Sequence, residues 1–189
     1  MAVAISEAIR GKLTEIQTHL KQAGADVGWV APANIHLTIL FLGTVFESQA
    51  SALAVATDEI ASAYQSCTLE VKGIGSFGRP RKPKVIWAGL TGDLQPLLAL
   101  QREIAEAAKR TEIFPDAKPF NPHLTIGRGR FSRRTRSSRR AQELLHAIEL
   151  CRDTAFGPLE IKSVLLMKSA LTARGPIYTL LHESRLATD

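Results

Sequence analysis

One six-residue phrase occurs twice in the 189-residue chain, and both copies contain side chains capable of acid–base chemistry. It reads Asn-Ile-His-Leu-Thr-Ile over residues 34–39 and Asn-Pro-His-Leu-Thr-Ile over residues 121–126. Given one copy, a second arises by chance with a probability of roughly a few in a thousand, so the repetition indicates a duplicated element.

The alternation of side chains along a strand determines what the phrase can do. Residues two apart on a strand share a face, so His36 and Thr38 point one way and Leu37 points the other, towards the core. The same parity places His123 and Thr125 on one face. If the two copies face each other, two imidazoles and two hydroxyls meet in one cleft.

Such a set suits phosphoester cleavage. An imidazole has an unperturbed pKa of about 6.5, so near neutral pH one can be neutral and the other protonated. The neutral ring can take a proton from water and the protonated ring can give one to the leaving oxygen, each transfer contributing about 10²–10⁴-fold. The hydroxyls of Thr38 and Thr125 can donate to phosphoryl oxygens. We expect no metal and no cofactor, since no Asp or Glu lies close in sequence to either histidine.

A duplicated fold without function would also repeat a phrase, because duplicated folds keep their core positions. Packing accounts for the Leu and Ile of each copy but gives no reason to keep Asn, His and Thr. The other histidines (His19, His146 and His182) lack this context and are predicted to be surface or satisfied residues.

The order of elements predicts an α+β fold with a single domain over residues 1–189. We expect two pseudo-symmetric lobes, each an antiparallel or mixed sheet with helices outside, facing across a central cleft and each contributing one His-x-Thr motif. Apolar periodicity predicts helices over residues 6–24, 48–65 and 93–111 and another from Ser138, with strands over residues 36–42, 68–74, 85–90, 159–171 and 177–186. Trp87 is predicted to be core. Two prolines and a glycine predict an irregular basic turn over residues 77–84.

Composition favours a polyanionic partner. The net charge is +6, and seven of the thirteen residues 128–140 are arginine. Cys67 and Cys151 lie far apart and predict neither zinc nor a disulfide framework, and no apolar run of 18 residues predicts a membrane span. We expect a cytoplasmic protein, with a monomer as the default state.

The paired His-x-Thr motifs resemble those of the two-histidine phosphoesterase superfamily. Within it the chain is similar to the RNA 2′,3′-cyclic phosphodiesterases of bacteria and archaea, first named 2′-5′ RNA ligases (LigT or ThpR type). The resemblance covers nearly the whole chain and is carried by residues 29–43, 77–90 and 120–128. It implies metal-independent hydrolysis of a 2′,3′-cyclic phosphate, on an RNA end or a nucleoside, to a 2′-phosphomonoester.

The resemblance also implies roles for individual residues. His36 and His123 become the catalytic pair, Thr38 and Thr125 bind the phosphate, and Arg128 corresponds to an arginine that the family uses five residues after its second histidine. We prefer His36 as the acid that protonates the departing 3′ oxygen and His123 as the base, although the sequence leaves these roles open.

Strict alternation conflicts with the role of Arg128, because it would place this residue on the face opposite His123. The flanking glycines Gly127 and Gly129 can accommodate a β-bulge, which reverses the parity. We therefore predict a bulge or strand end at Gly127 that turns Arg128 into the cleft.

The remaining basic residues have two interpretations of equal weight. Arg79, Arg81 and Arg130 are possible RNA contacts, or they belong to solvated basic loops. Two other functions also stay open: RNA 2′-5′ ligation or 2′-5′ phosphodiester cleavage at the same site, and a non-catalytic module that binds RNA ends.

Overall fold

The computed structural model describes residues 1–79, 82–115, 118–130, 139–173 and 175–188. Within these ranges there are four α-helices, α1 Glu7–Lys21, α2 Glu47–Ser62, α3 Gln95–Arg110 and α4 Arg139–Leu150, and a 3₁₀ turn at Pro32–Asn34. The nine strands of the described ranges are β1 Ala2–Val3, β2 Val27–Trp29, β3 Leu37–Thr38, β4 Cys67–Arg79, β5 Lys82–Thr91, β6 His123–Gly129, β7 Ala155–Ile161, β8 Ser163–Thr172 and β9 Gly175–Arg185.

The strands form one curled antiparallel sheet in the order β7-β4-β5-β6-β3-β1-β8-β9, with β2 paired to β6. This confirms the α+β class. The structure adds that the two predicted sheets are halves of a single sheet, joined where β3 pairs with β6. The centre of the sheet is therefore where the two copies of the repeated phrase meet.

The helices show that the two halves are interleaved in sequence. Helix α1 comes first in the chain yet packs against β7 and α4, while α2 packs against α3, β8 and β9. Ser6 caps α1 by accepting a hydrogen bond from the backbone N–H of Ile9 at 3.3 Å. Ile9, Leu13 and Leu20 form the buried stripe of α1. No helix in the described ranges is long and apolar enough to cross a membrane.

Strand β3 is much shorter than predicted. Only Leu37 and Thr38 are in the ladder, not the whole of residues 36–42. The backbone N–H groups of Ile39 and Leu40 both point to the carbonyl of Met1, at 2.9 and 3.3 Å, so the chain leaves the ladder directly after Thr38.

The prediction of an irregular turn over residues 77–84 is wrong. Strand β4 continues to Arg79 and β5 begins at Lys82, while Pro80 and Arg81 lie outside the described residues. A register shift absorbs the glycine and the second proline, since Phe77 pairs with Val85 and Gly78, at φ 139°, pairs with Pro83.

The single strand predicted over residues 159–171 is in fact two strands that meet at Lys162. The predicted helix start at Ser138 falls outside the described residues.

The contact between Leu37 and Leu124 at the centre of the sheet makes a direct test of this packing possible. Both side chains are 0% exposed, so Leu37→Ala should lower the free energy of unfolding by about 2–5 kcal/mol. Denaturant titration measures the change. Leu150→Ala is the control, because Leu150 is 70% exposed and its truncation should change stability by less than about 0.5 kcal/mol. Equal stabilities for the two variants would contradict the packing described.

Candidate active site

The pairing of β3 with β6 brings the two His-x-Thr motifs together. The strands are antiparallel with Leu37 opposite Leu124, and both leucines point into the core. Continuing this register by one residue in each direction places Thr38 opposite His123 and His36 opposite Thr125. The four polar side chains therefore lie on the face of the sheet opposite the leucines, at the corners of a quadrilateral with approximate two-fold symmetry.

The register also makes the two histidines diagonal neighbours on this face. In a regular antiparallel ladder, directly opposite residues have Cβ atoms about 4.5–5.5 Å apart and diagonal neighbours are separated by about 7–8 Å. The two imidazoles therefore project from neighbouring points of one face of the sheet.

The two imidazoles are oriented by the same hydrogen bond. The Nδ1 atom of His36 lies 2.9 Å from the carbonyl oxygen of Asn34, and that of His123 lies 2.7 Å from the carbonyl oxygen of Asn121. A carbonyl oxygen only accepts, so in each ring Nδ1 is the donor. In a neutral ring Nε2 is then the acceptor, free to take or return a proton.

Each histidine also meets an aromatic ring edge-on. The centroids of His36 and Tyr178 are 5.0 Å apart with an interplanar angle of 82°, and those of His123 and Phe77 are 5.1 Å apart at 88°. Tyr178 is on β9 and Phe77 is on β4. The environment of the two imidazoles is thus duplicated beyond the repeated phrase itself.

Burial is the main cause that lowers the pKa of His36 below its ordinary value, although the hydrogen bond to Asn34 opposes it. The guanidinium of Arg128 also lowers this pKa. The N-terminal amine of Met1 acts in the same direction only when charged, and burial lowers its own pKa to about 5. His36 is therefore biased towards the neutral form in the empty site.

Arg128 reaches the cleft face through a bulge, which lies one residue before the position predicted at Gly127. On β6, Thr125 pairs with Trp87 and Gly127 pairs with Ile86, so Ile126 is the extra residue. Arg128 then pairs with Val85, which is two residues from Trp87 and shares its face. The bulge thus reverses the parity and places Arg128 on the face of Thr125.

A buried glutamine supports this bulge. Gln17 of α1 is 1% exposed, and its amide nitrogen donates to the carbonyl oxygens of Ile126 and Val30, each at 2.8 Å. The carbonyl of Ile126 also accepts from the backbone N–H of Val30 at 3.0 Å. The polar backbone at the extra residue is therefore satisfied inside the core.

Trp87 is not a core residue, which corrects the sequence interpretation. Its indole is half-buried on the cleft face, where a Cβ at Gly75 or Gly89 would meet the ring. Phe77 packs against it with centroids 5.2 Å apart. The two glycines thus form a slot for the indole, and the indole supports the ring that contacts His123.

Two of the three predicted RNA contacts are described. Arg79 and Arg130 are exposed, and Arg81 lies outside the described residues. The Nε atom of Arg130 would lie 2.9 Å from a Cβ built on Gly28, the residue that pairs with Arg128. The guanidinium of Arg130 therefore lies on the same face as Arg128, and Arg79 lies two residues beyond Phe77.

A groove of about 870 Å³ opens beside His36 and Thr38 and continues between the start of α2 and the β8–β9 hairpin. His182 lies in it and binds Asp58 of α2 through Nε2 at 2.8 Å, as expected for a satisfied histidine. Within the described ranges, no three His, Cys, Asp or Glu side chains are grouped as metal ligands.

Sequence reasoning missed Gln17 and Tyr178 and did not single out Phe77 as a site residue. Gln17 carried a signal, since it lies four residues after Leu13 on the apolar stripe of α1, where a polar residue needs an explanation. Tyr178 carried none, because its contact with His36 joins residues 142 positions apart in the sequence.

The chain is similar to known proteins of one family over nearly its whole length. A family model described as "LigT like Phosphoesterase" matches residues 3–87 and 91–178. A protein of Methanothermobacter thermautotrophicus named RNA 2′,3′-cyclic phosphodiesterase is 30% identical over 98% of this chain and 97% of its own length. One of the same name from Aquifex aeolicus is 34% identical over 82% of this chain and 79% of its own length.

Solved structures share the fold. A Thermus thermophilus protein superposes with a TM-score of 0.78 and 24% identity, over 98% of this chain and 95% of the other. The Escherichia coli LigT structure in complex with 3′-AMP superposes with a TM-score of 0.75 and 22% identity, over 98% of this chain and 95% of the other.

The causes that lower the pKa of His36 can be separated by NMR titration of its ring protons. The pKa should lie below that of an unstructured histidine, and Arg128→Met should raise it only partly, because burial is the larger cause. Arg102→Met on the exposed side of α3 is the control. Because the folded state disfavours the charged form of His36, the free energy of unfolding has its full value above the ordinary histidine pKa. It should decrease as the pH falls from there towards the lowered pKa of His36. A His36 pKa above the ordinary value would contradict the geometry.

Proposed function

Because the chain belongs to the LigT-like phosphoesterase family, we propose that it hydrolyses the 2′,3′-cyclic phosphate of an RNA end or a nucleoside to a 2′-phosphomonoester. The observation that carries this proposal is the in-register quartet of His36, Thr38, His123 and Thr125 on one face of the sheet. Two imidazoles with equivalent Nδ1 bonds on one face of the sheet suit transfer of two protons in one displacement.

In the proposed reaction, a water oxygen forms a bond to phosphorus while the bond from phosphorus to the 3′ oxygen breaks. One histidine takes the proton of the water on its Nε2. The other gives a proton from its Nε2 to the departing 3′ oxygen. The hydroxyls of Thr38 and Thr125 and the guanidinium of Arg128 donate to the non-bridging oxygens as their charge grows. This chemistry uses only the chain's own residues.

The assignment of acid and base depends on the substrate. The lowered pKa of His36 favours its neutral form, and therefore the base role, in the empty site. The role preferred from the sequence, His36 as the acid, requires the negative charge of the bound phosphate to raise this pKa, since a nearby anion favours the imidazolium. Under either assignment His123 has the complementary role.

The same site can serve a 2′-5′ linkage. If a nucleoside 5′ oxygen takes the place of water, the displacement joins or, in reverse, cleaves a 2′-5′ phosphodiester with the same proton transfers. The groove beside His36 offers space for a second nucleoside. This is the second candidate activity at the site.

The metal-free protein should convert a 2′,3′-cyclic nucleotide to the 2′-phosphomonoester, and chromatography identifies the product. His36→Ala and His123→Ala should each lower kcat by about 10²–10⁴-fold, because each removes one proton transfer. His146→Ala is a matched control from α4, outside the quartet. Formation of the 3′-phosphomonoester, or full activity in either variant, would contradict the proposed reaction.

A second substrate separates acid from base. p-Nitrophenolate is a weak base and leaves phosphorus without needing a proton. The second substrate is therefore a nucleoside phosphodiester with p-nitrophenolate as its leaving group. On it, whichever of His36→Ala and His123→Ala lacks the acid should lose much less activity than on the cyclic phosphate. The variant without the base should lose the same activity on both substrates.

We also propose that Arg79 and Arg130 bind the phosphates of an RNA strand that extends beyond the cleft. Turnover of an oligonucleotide should then fall steeply with salt while turnover of a cyclic mononucleotide does not. Removal of one phosphate contact should reduce the slope of log affinity against log salt by about 0.7. Arg79→Ala and Arg130→Ala should show this reduction, with Arg102→Ala unchanged. The same salt response for both substrates would refute the RNA path.

A further inference from the structure

The aromatic partners of the two histidines are supported differently. Phe77 is on β4 beyond Lys72, where the described pairing with β7 ends, and its ring packs on Trp87 of the neighbouring strand β5. Tyr178 is on β9, which lies at the edge of the sheet. In the described pairing, β8 meets β1 only at Leu165, so the outer part of the β8–β9 hairpin has no neighbouring strand on the side of β1. The position of Tyr178 therefore depends on other contacts.

One such contact comes from the repeated phrase. The side-chain amide of Asn34 donates to the carbonyl oxygen of Pro176 at 2.9 Å, two residues before Tyr178 on β9. The backbone carbonyl of the same Asn34 accepts from Nδ1 of His36. Asn34 thus holds the ring of His36 with its main chain and the hairpin carrying Tyr178 with its side chain.

Among the described residues, the second copy of the phrase makes no equivalent contact. There the amide of Asn121 donates to the carbonyl of Pro119, at 3.5 Å and on the exposed surface of its own loop. Its backbone carbonyl still accepts from Nδ1 of His123. Within the described part of the chain, identical residues in the two copies are therefore used differently, and the side chain of Asn34 alone ties a distant element to the site.

We propose that the β8–β9 hairpin is a positioning element of the active site, in which Asn34 fixes the hairpin and the ring of Tyr178 fixes the imidazole of His36. The perpendicular packing at 5.0 Å limits rotation of the imidazole, while the Nδ1 bond fixes its tautomer. Nε2 of His36 is thereby held in one direction for proton transfer. Tyr178 acts through His36, so the expected effect is on turnover rather than on substrate binding. The kinetic part of this inference rests on the proposed function.

Substitution of Asn34 separates its two contacts. Asn34→Ala removes the amide but keeps the carbonyl that binds His36, so it tests only the hydrogen bond from the Asn34 amide to Pro176. Asn121→Ala is the matched control in the second copy. Tyr178→Ala removes the ring, Tyr178→Phe keeps it without the hydroxyl, and Ile177→Ala is the control on the same strand, since Ile177 is 58% exposed.

Steady-state kinetics with a 2′,3′-cyclic nucleotide provides the first measurement. Tyr178→Ala should lower kcat about tenfold or more with little change in KM, because a misdirected imidazole slows proton transfer. Asn34→Ala should lower kcat in the same way by a smaller factor. Tyr178→Phe, Ile177→Ala and Asn121→Ala should stay close to the unmodified protein.

NMR of the His36 ring nitrogens without substrate provides the second measurement. Tyr178→Ala should expose the ring, so its pKa should rise towards the ordinary value, and Asn34→Ala should do the same to a lesser degree. The charged groups facing His36, Arg128 and the Met1 amine, remain in every variant. If the unmodified protein turns over no cyclic nucleotide, the proposed function fails. The spectra still test whether Asn34 and Tyr178 position the imidazole of His36.

Three results would overturn the inference. In the first, Tyr178→Ala has the kcat and the His36 spectra of the unmodified protein, and in the second, Asn34→Ala and Asn121→Ala have equal effects. In the third, Tyr178→Phe loses as much kcat as Tyr178→Ala, which would assign the role to the hydroxyl. If Tyr178→Ala fails to fold, Asn34→Ala against Asn121→Ala decides the question alone.

Discussion

The contact between Leu37 and Leu124 fixes the geometry of the whole site. Both side chains are completely buried, and their strands pair at that point. Because the side-chain period of a strand is two, a slip of either strand by one residue would turn its leucine to solvent and its histidine into the core. The cost of exposing that leucine, about 1.5–3 kcal/mol, holds the register. Apolar packing therefore specifies a polar site that has little stabilising energy of its own.

The polar groups of the site are held by main-chain atoms and by one helix. Nδ1 of each histidine donates to the backbone carbonyl two residues earlier in the chain, so no charged side chain is needed to orient the rings. Gln17 connects α1 to the bulge at Ile126 and to Val30, and its buried amide would cost about 1–3 kcal/mol if these two carbonyls did not accept from it. Docking of α1 and the direction of Arg128 are thus parts of one cooperative arrangement.

Local pattern accounts for part of this arrangement. The faces of the two His-x-Thr motifs follow from strand parity, the α+β class follows from the order of elements, and a bulge before Arg128 follows from the conflict of parity with its neighbouring glycines. The short β3, the continuation of β4 past Phe77 and the cleft position of Trp87 do not follow from the sequence, because each depends on which strand lies alongside. Trp87 reads as core by hydrophobicity, yet its face is set by pairing with Thr125 and by the space above Gly75 and Gly89. Tyr178 belongs to the site only through the tertiary fold.

The bulge at Ile126 occurs in one copy only, and this has a consequence for the direction in which a substrate binds. Under the proposed function, a quartet with two-fold symmetry would accept a phosphodiester in two opposite orientations, with the two histidines exchanging their tasks. Arg128 lies on one side of the axis, whereas the residue five places after the first histidine is Phe41 and the chain leaves the ladder directly after Thr38. A preference of about 1.4 kcal/mol for one orientation populates it tenfold over the other. For the proposed substrate, one extra residue in a strand thus converts a symmetric pair of motifs into a site with a defined polarity.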